Sequence, residues 1–197
     1  MKRVLLSCLL STVIALPAVA ALKEGDAAPD FSTQASLAGK AFQYSLKDAL
    51  KKGPVVVYFY PSAYTAGCNV QAHTFAVNMD KFNAAGATVI GVSLDNIARL
   101  NEFSADPEYC AGKLAVASDA DGKIAKSFDP LVRDARAGMK DSRGAEIDHG
   151  FAERTTFIVS SDGKVAATVE TKNGVTPATN VEKALEAVQQ LATKKKA

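Results

Sequence analysis

Tryptophan is absent from this 197-residue chain, cysteine occurs three times and histidine twice. The scarcity of cysteine excludes most. The residue three places after Cys68 is Gln71, so the Cys-x-x-Cys pair of a dithiol reductant is not formed there. Cys8 falls in an N-terminal apolar stretch, leaving Cys68 and Cys110 for the body of the protein. Two cysteines in a large domain are compatible with a structural disulfide, a reading that competes with a chemical role for Cys68. His73 and His149 share no ligand spacing, so no metal and no cofactor are expected. Charge of either sign is also lacking in excess, with 23 basic residues against 21 acidic. Loss of Lys2 and Arg3 with a leader makes the two counts equal, and no nucleic-acid partner is expected. Lys194-Lys195-Lys196 reads as a solvated helix tail.

No apolar run is long enough for a membrane anchor. The run that is present follows Lys2-Arg3, extends from Val4 to Leu16, and ends at Pro17 before Ala18-Val19-Ala20. A basic start, a short apolar stretch and a small-x-small site predict a signal peptide over 1–20, cleaved after Ala20. The expected mature chain, 21–197, is one domain, located in a bacterial periplasm and not inserted in the membrane. It shows no repeat and no low-complexity block.

Val55–Tyr60 (VVVYFY) is β-branched and aromatic on both alternating faces, which predicts a central strand covered by helices on each side. Pro61 ends it. A helix is expected over Cys68–Phe82, a second buried strand over Ala87–Leu94, and a short helix over Asp95–Phe103, broken by Asp106-Pro107. A further short helix is expected near Gly122–Phe128, then a hairpin of Thr155–Ser160 and Lys164–Val169 around Asp162-Gly163. Thr179-Asn180-Val181-Glu182 reads as a capping box for a last helix. Leu22–Lys52 is mixed and turn-rich, and Pro130–Gly150 is assigned to a long loop. The order β-α-β-α, hairpin, α predicts an α/β thioredoxin-like fold with a central mixed sheet flanked by helices on both faces.

Directly after the central strand, Pro61-Ser62-Ala63-Tyr64-Thr65-Ala66-Gly67-Cys68 spells P-x-x-x-T-x-x-C. In this motif the chain resembles the peroxiredoxins, the thiol peroxidases. Gly25-Asp26-Ala27-Ala28-Pro29-Asp30-Phe31, Ser118-Asp119-Ala120-Asp121-Gly122 and Glu153-Arg154-Thr155-Thr156-Phe157 extend the likeness along most of the mature chain. The PrxQ, or bacterioferritin comigratory protein, branch is the most similar. A cysteine attacks peroxide as thiolate, and a helix N-terminus with a nearby cation brings such thiols to pKa values of roughly 3.5–7.5. The resemblance implies that Cys68 is the peroxidatic cysteine and that Thr65 offers its hydroxyl to sulfur and peroxide. By the same likeness Arg154 orients the peroxide from a neighbouring strand, N–H groups near Gly67 and Cys68 complete the donors, and Pro61 walls the pocket. It further implies hydrogen peroxide and organic hydroperoxides as substrates, a thioredoxin-like or other thiol reductant as partner, and a monomer. Glutathione peroxidases use a tryptophan, absent here; copper-delivery relatives use Cys-x-x-x-Cys, and Ala72 stands in the fourth place.

The chain departs from the pattern at three positions. Many PrxQ proteins have a resolving cysteine five residues on, where this chain has His73. Cys110 is the expected resolving cysteine instead, in a mobile stretch near the surface; an inert thiol and a one-cysteine mechanism stay open. Gln71 stands where relatives often have an acid, either lining the pocket or solvated. The alternative function is an exported thioredoxin-fold exchange or binding protein without peroxidase activity.

Overall fold

The computed structural model describes residues 22–128 and 132–194. The predicted leader therefore lies outside the described residues. A mixed sheet of seven strands runs through the molecule. In chain order the elements are β1 (Ser32–Leu37), β2 (Lys40–Ser45), α1 (Leu46–Leu50), β3 (Val55–Phe59), α2 (Ala66–Ala84), β4 (Thr88–Ser93) and α3 (Ile97–Ala105). There follow β5 (Ala115–Ser118), α4 (Lys123–Phe128), β6 (Val132–Arg133), β7 (Phe151–Ala152), β8 (Thr155–Val159), β9 (Val165–Glu170) and α5 (Pro177–Lys194). The sheet order is β2-β1-β5-β4-β3-β8-β9, with β6 and β7 forming a separate pair. β3, β4 and β5 are parallel; β8 returns antiparallel to β3.

The two-sided apolar pattern of β3 has the expected consequence. Val56 and Tyr58 enter a core shared with α2, α3 and α5, while Val55, Val57 and Phe59 enter a second core with α1 and α4. Tyr58 lies across β4, where a Cβ on Gly91 would stand 2.5 Å from Tyr58 Cζ; only glycine admits the ring there. The helices expected after β3 and β4 form, but two further pieces of the sheet were not foreseen. The turn-rich N-terminal segment is the β1–β2 hairpin, and the four-residue β5 joins it to the central strands. The last helix begins earlier than the capping box predicts. Thr176 Oγ1 accepts from Thr179 N–H at 3.1 Å, and Pro177 takes the first helical position, where a missing N–H is tolerated. This shift places Asn180 inside the helix and fully buried.

Candidate active site

The chain leaves β3 at Tyr60 and turns through Pro61–Thr65 before α2 begins. Ser62, Ala63 and Tyr64 are buried; Pro61 is half-buried. Tyr64 has φ of +61°, a left-handed conformation that disfavours a bulky residue and must be held by its neighbours. The holding groups come from the long loop before β7. Ser142 donates its N–H and its hydroxyl to the Tyr64 carbonyl oxygen, each at 2.8 Å. The Arg143 guanidinium lies 3.3 Å from the Tyr64 ring centroid, with Phe103 edge-on at 5.0 Å.

A buried carboxylate anchors the same turn from the end of β4. Asp95 accepts from Ser62 Oγ at 2.9 Å, Ala63 N–H at 2.8 Å and Ser93 Oγ at 2.7 Å. His149 Nε2 reaches it at 2.8 Å and Arg99 Nε at 2.9 Å. Arg99 also donates to the Ala63 carbonyl oxygen at 2.9 Å and pairs with Asp141 at 2.8 Å. His149 Nδ1 faces the Gly150 carbonyl oxygen at 2.7 Å, so both ring nitrogens point at acceptors. Burial opposes the His149 charge, but the hydrogen bond and charge of Asp95 outweigh it and hold the imidazole above its ordinary pKa. Burial likewise opposes ionisation of Asp95, and His149, Ala63 N–H and Ser93 together pull it below the usual carboxylate range. Ser62, Tyr64, Asp95, Arg99, Asp141, Arg143 and His149 are the residues that sequence reasoning missed. The Asp95-x-x-x-Arg99 spacing at the end of a buried strand was the available signal.

Cys68 is the third residue of α2 and only 2 % exposed. The first intrahelical bond runs from Asn69 N–H to the Thr65 carbonyl oxygen at 2.8 Å, so the N–H groups of Ala66, Gly67 and Cys68 precede the helical ladder. Arg154 Nη2 donates to Cys68 Sγ at 3.2 Å. Arg154 stands just before β8 rather than on it. Its Nη1 donates to Gln71 Oε1, on the same helix as Cys68. Gln71 is fully buried, not solvated, and donates to Asn180 Oδ1 at 3.0 Å. Negative charge on the sulfur thus meets a guanidinium and the positive end of a helix.

Thr65 precedes α2 with extended backbone and no side-chain capping bond. Its hydroxyl donates to the Ser62 carbonyl oxygen at 2.9 Å instead of to the sulfur. Gly67 passes directly under Arg154 and Pro177. Cys110 departs from expectation. It is fully buried, not near the surface, although Asp106-Pro107 does end α3. Beyond that break the chain coils back, with Ala111 N–H bonded to the Asp106 carbonyl oxygen at 2.8 Å and Leu114 N–H to that of Cys110 at 3.2 Å. This turn points Cys110 inward, into the core cluster that also holds Cys68, Phe103 and Leu114. Burial, with the charge of Asp106, pushes the Cys110 thiol well above its ordinary pKa. Both thiols are free. His73 is exposed and bonds through Nδ1 to the Glu108 carbonyl oxygen at 2.9 Å.

A sulfur so placed can attack a small electrophile held against the guanidinium, and on a thioredoxin-type sheet that chemistry defines the thiol peroxidases. The chain belongs to the AhpC/TSA family, whose model matches residues 24–168, and it is a peroxiredoxin. It is 35% identical over 144 residues to Peroxiredoxin Bcp of Escherichia coli (strain K12), covering 73% of this chain and 83% of that one. Among solved structures, Peroxidoxin BcpB from Mycobacterium tuberculosis aligns with a TM-score of 0.70 at 26% identity, covering 86% of this chain and 98% of that one. Xanthomonas campestris Peroxiredoxin Q aligns with a TM-score of 0.62 at 26% identity, covering 81% and 90%. The fold, the family and the peroxidase activity thus agree with the sequence reading, and the alternative of a module without peroxidase activity falls.

Proposed function

We propose that the protein is an exported enzyme reducing hydrogen peroxide and small organic hydroperoxides through Cys68. The observation that carries this reading is the 3.2 Å contact from Arg154 Nη2 to Cys68 Sγ in the first turn of α2. The Cys68 thiolate attacks the terminal peroxide oxygen, the O–O bond breaks, sulfenic acid forms, and water or an alcohol leaves. Arg154 stabilises charge on the departing oxygen, with the N–H groups near Gly67 and Cys68 as further donors. Because the Thr65 proton is committed to Ser62, the Thr65 oxygen accepts the peroxide O–H. Pro61 limits water at the pocket mouth. Cys110 then condenses with the sulfenic acid, releasing water and forming a disulfide that a thioredoxin-like or other thiol reductant reopens.

Export rests on the Lys2-Arg3, Val4–Leu16 and Ala18-Val19-Ala20 pattern, and a periplasmic protein whose first residue is Ala21 would support it. The working unit is taken as a monomer, since Thr65, Cys68, Gln71 and Arg154 all come from one chain. Two variants test the chemistry. Cys68→Ser abolishes peroxide consumption with the fold retained, and Arg154→Ala slows the peroxide step by roughly 10²–10³-fold, the usual loss for one oxyanion donor. Near-normal stopped-flow rates in either variant would overturn the assignment.

A further inference from the structure

Arg154 is held by a line of buried amides that ends far from Cys68 in sequence. Gln71 Nε2 meets Asn180 Oδ1 at 3.0 Å, Thr156 Oγ1 donates to the same oxygen at 2.6 Å, and Asn180 Nδ2 donates to the Val169 carbonyl oxygen at 3.0 Å. Gln71, Thr156 and Asn180 are all fully buried. The two ends of this line have fixed polarity. The Val169 carbonyl can only accept, and the Arg154 guanidinium can only donate. Between them two amides must therefore be oriented in one sense. Asn180 turns its NH₂ to Val169 and its oxygen to Gln71. Gln71 must then turn its NH₂ to Asn180 and its oxygen to Arg154.

We propose that Asn180 is a positioning residue for peroxide reduction: from α5 it fixes the Gln71 amide so that its oxygen clamps Arg154 Nη1 and leaves Nη2 aimed at Cys68. The arrangement explains why position 71 carries an amide. A carboxylate there would set an oxygen against Asn180 Oδ1 with no proton between them, in a site where an unpaired buried polar atom is heavily penalised. It would also neutralise the guanidinium. Among the described residues no carboxylate forms an ion pair with Arg154, so its charge acts undivided on the sulfur and on the leaving oxygen. α5 thereby supplies more than core packing. Its early start at Pro177 brings Asn180 into line with β8 and β9.

The inference rests on the assignment of Cys68 and Arg154, and the experiment separates the two. Stopped-flow oxidation of reduced protein by hydrogen peroxide and the pH dependence of Cys68 alkylation by iodoacetamide are measured on purified folded protein. Asn180→Leu and Gln71→Met are each expected to slow oxidation by roughly ten- to a hundredfold, the range for small misplacement of a catalytic group. Both should move the alkylation profile to higher pH. The double variant should be no slower than either single one, because both break one line. Asn180→Ser is too short to reach Gln71 and should show the same loss if Asn180→Leu fails to fold. Wild-type rates and profiles in the Asn180 variants, with Arg154→Ala still slow, would overturn the positioning role. Additive losses would also overturn it, showing two independent effects. Unchanged rates in Arg154→Ala would instead overturn the assignment beneath it.

Discussion

Gly67 carries no side chain, and an added Cβ would stand 3.2 Å from Arg154 Nη2 and 3.5 Å from Pro177 Cγ. Its φ is not in the left-handed region, so the backbone tolerates alanine, and alanine favours the helix by up to about 1 kcal/mol. Gly67→Ala should therefore leave thermal stability unchanged or raised while slowing peroxide oxidation roughly tenfold, through displacement of the guanidinium. Equal rates in stopped-flow would mean that Arg154 gives way at no consequence. At this scale the sequence was most legible where the residues are local. Cys68, Thr65 and Pro61 lie within eight positions, and one motif names them together. Arg154 was reached only through likeness to a family. The contact of Gln71 with Asn180 was not reached, because Asn180 is 109 residues away and fills an intervening position of the Thr179–Glu182 capping box. The hydroxyl of Thr65 donates to the Ser62 carbonyl oxygen and not to the sulfur that the motif suggested, because that carbonyl competes for its proton.

Among the elements, the stretch before β7 holds the most that its sequence reading as a long loop did not foresee. It pairs Lys140 with Glu146 in a bridge and brings Asp141, Ser142, Arg143 and His149 onto the turn that precedes Cys68. Its work is done by polar groups without periodicity, so hydropathy patterning has nothing to detect. β1 and β2 were overlooked for a related reason, being largely exposed strands with few apolar positions. The Asp95–His149 pair gives this brace a pH dependence. His149 has a raised folded pKa, so its contribution is complete below the ordinary imidazole value of about 6.5 and is lost as pH rises through the raised one. Asp95 has a lowered pKa, so its contribution is present above the ordinary value of about 3.9 and fails only as pH falls through the depressed one. Stability should decline on the alkaline side as His149 loses its proton. His149→Gln keeps a donor to Asp95 but cannot titrate. Thermal unfolding across that range should show a flatter pH profile for the variant, and an identical slope would remove His149 from the account.

Taken as a whole, the molecule separates the two halves of its proposed cycle. Cys68 lies at the start of α2 beside a cation, while Cys110 is fully buried and held protonated by its surroundings. A disulfide needs the two Cα atoms within about 7 Å and an attacking thiolate. Both sulfurs are buried and Cys110 must be exposed to ionise, so the start of α2 and the turn after α3 are expected to open together as the bond forms. His73, the eighth residue of α2, holds the second of these segments to the body of that helix. Its Nδ1 donates to the Glu108 carbonyl oxygen at 2.9 Å, joining α2 to the turn that buries Cys110. Resolution should then be slower than oxidation, and its rate should rise with pH as Cys110 is exposed and ionised. His73→Ala removes an exposed tie and no part of the peroxide site. It should leave the first, peroxide-dependent phase unchanged and speed the second, disulfide-forming phase by about threefold to tenfold, for a hydrogen bond worth roughly 1 kcal/mol. Two-phase stopped-flow with mass spectrometry of quenched samples reads both steps. A Cys68–Cys110 linked peptide appearing faster in the variant supports the coupled opening. Sulfenic and then sulfinic Cys68 accumulating with Cys110 unmodified would show that Cys110 stays inside the core, and that an external thiol completes the reaction.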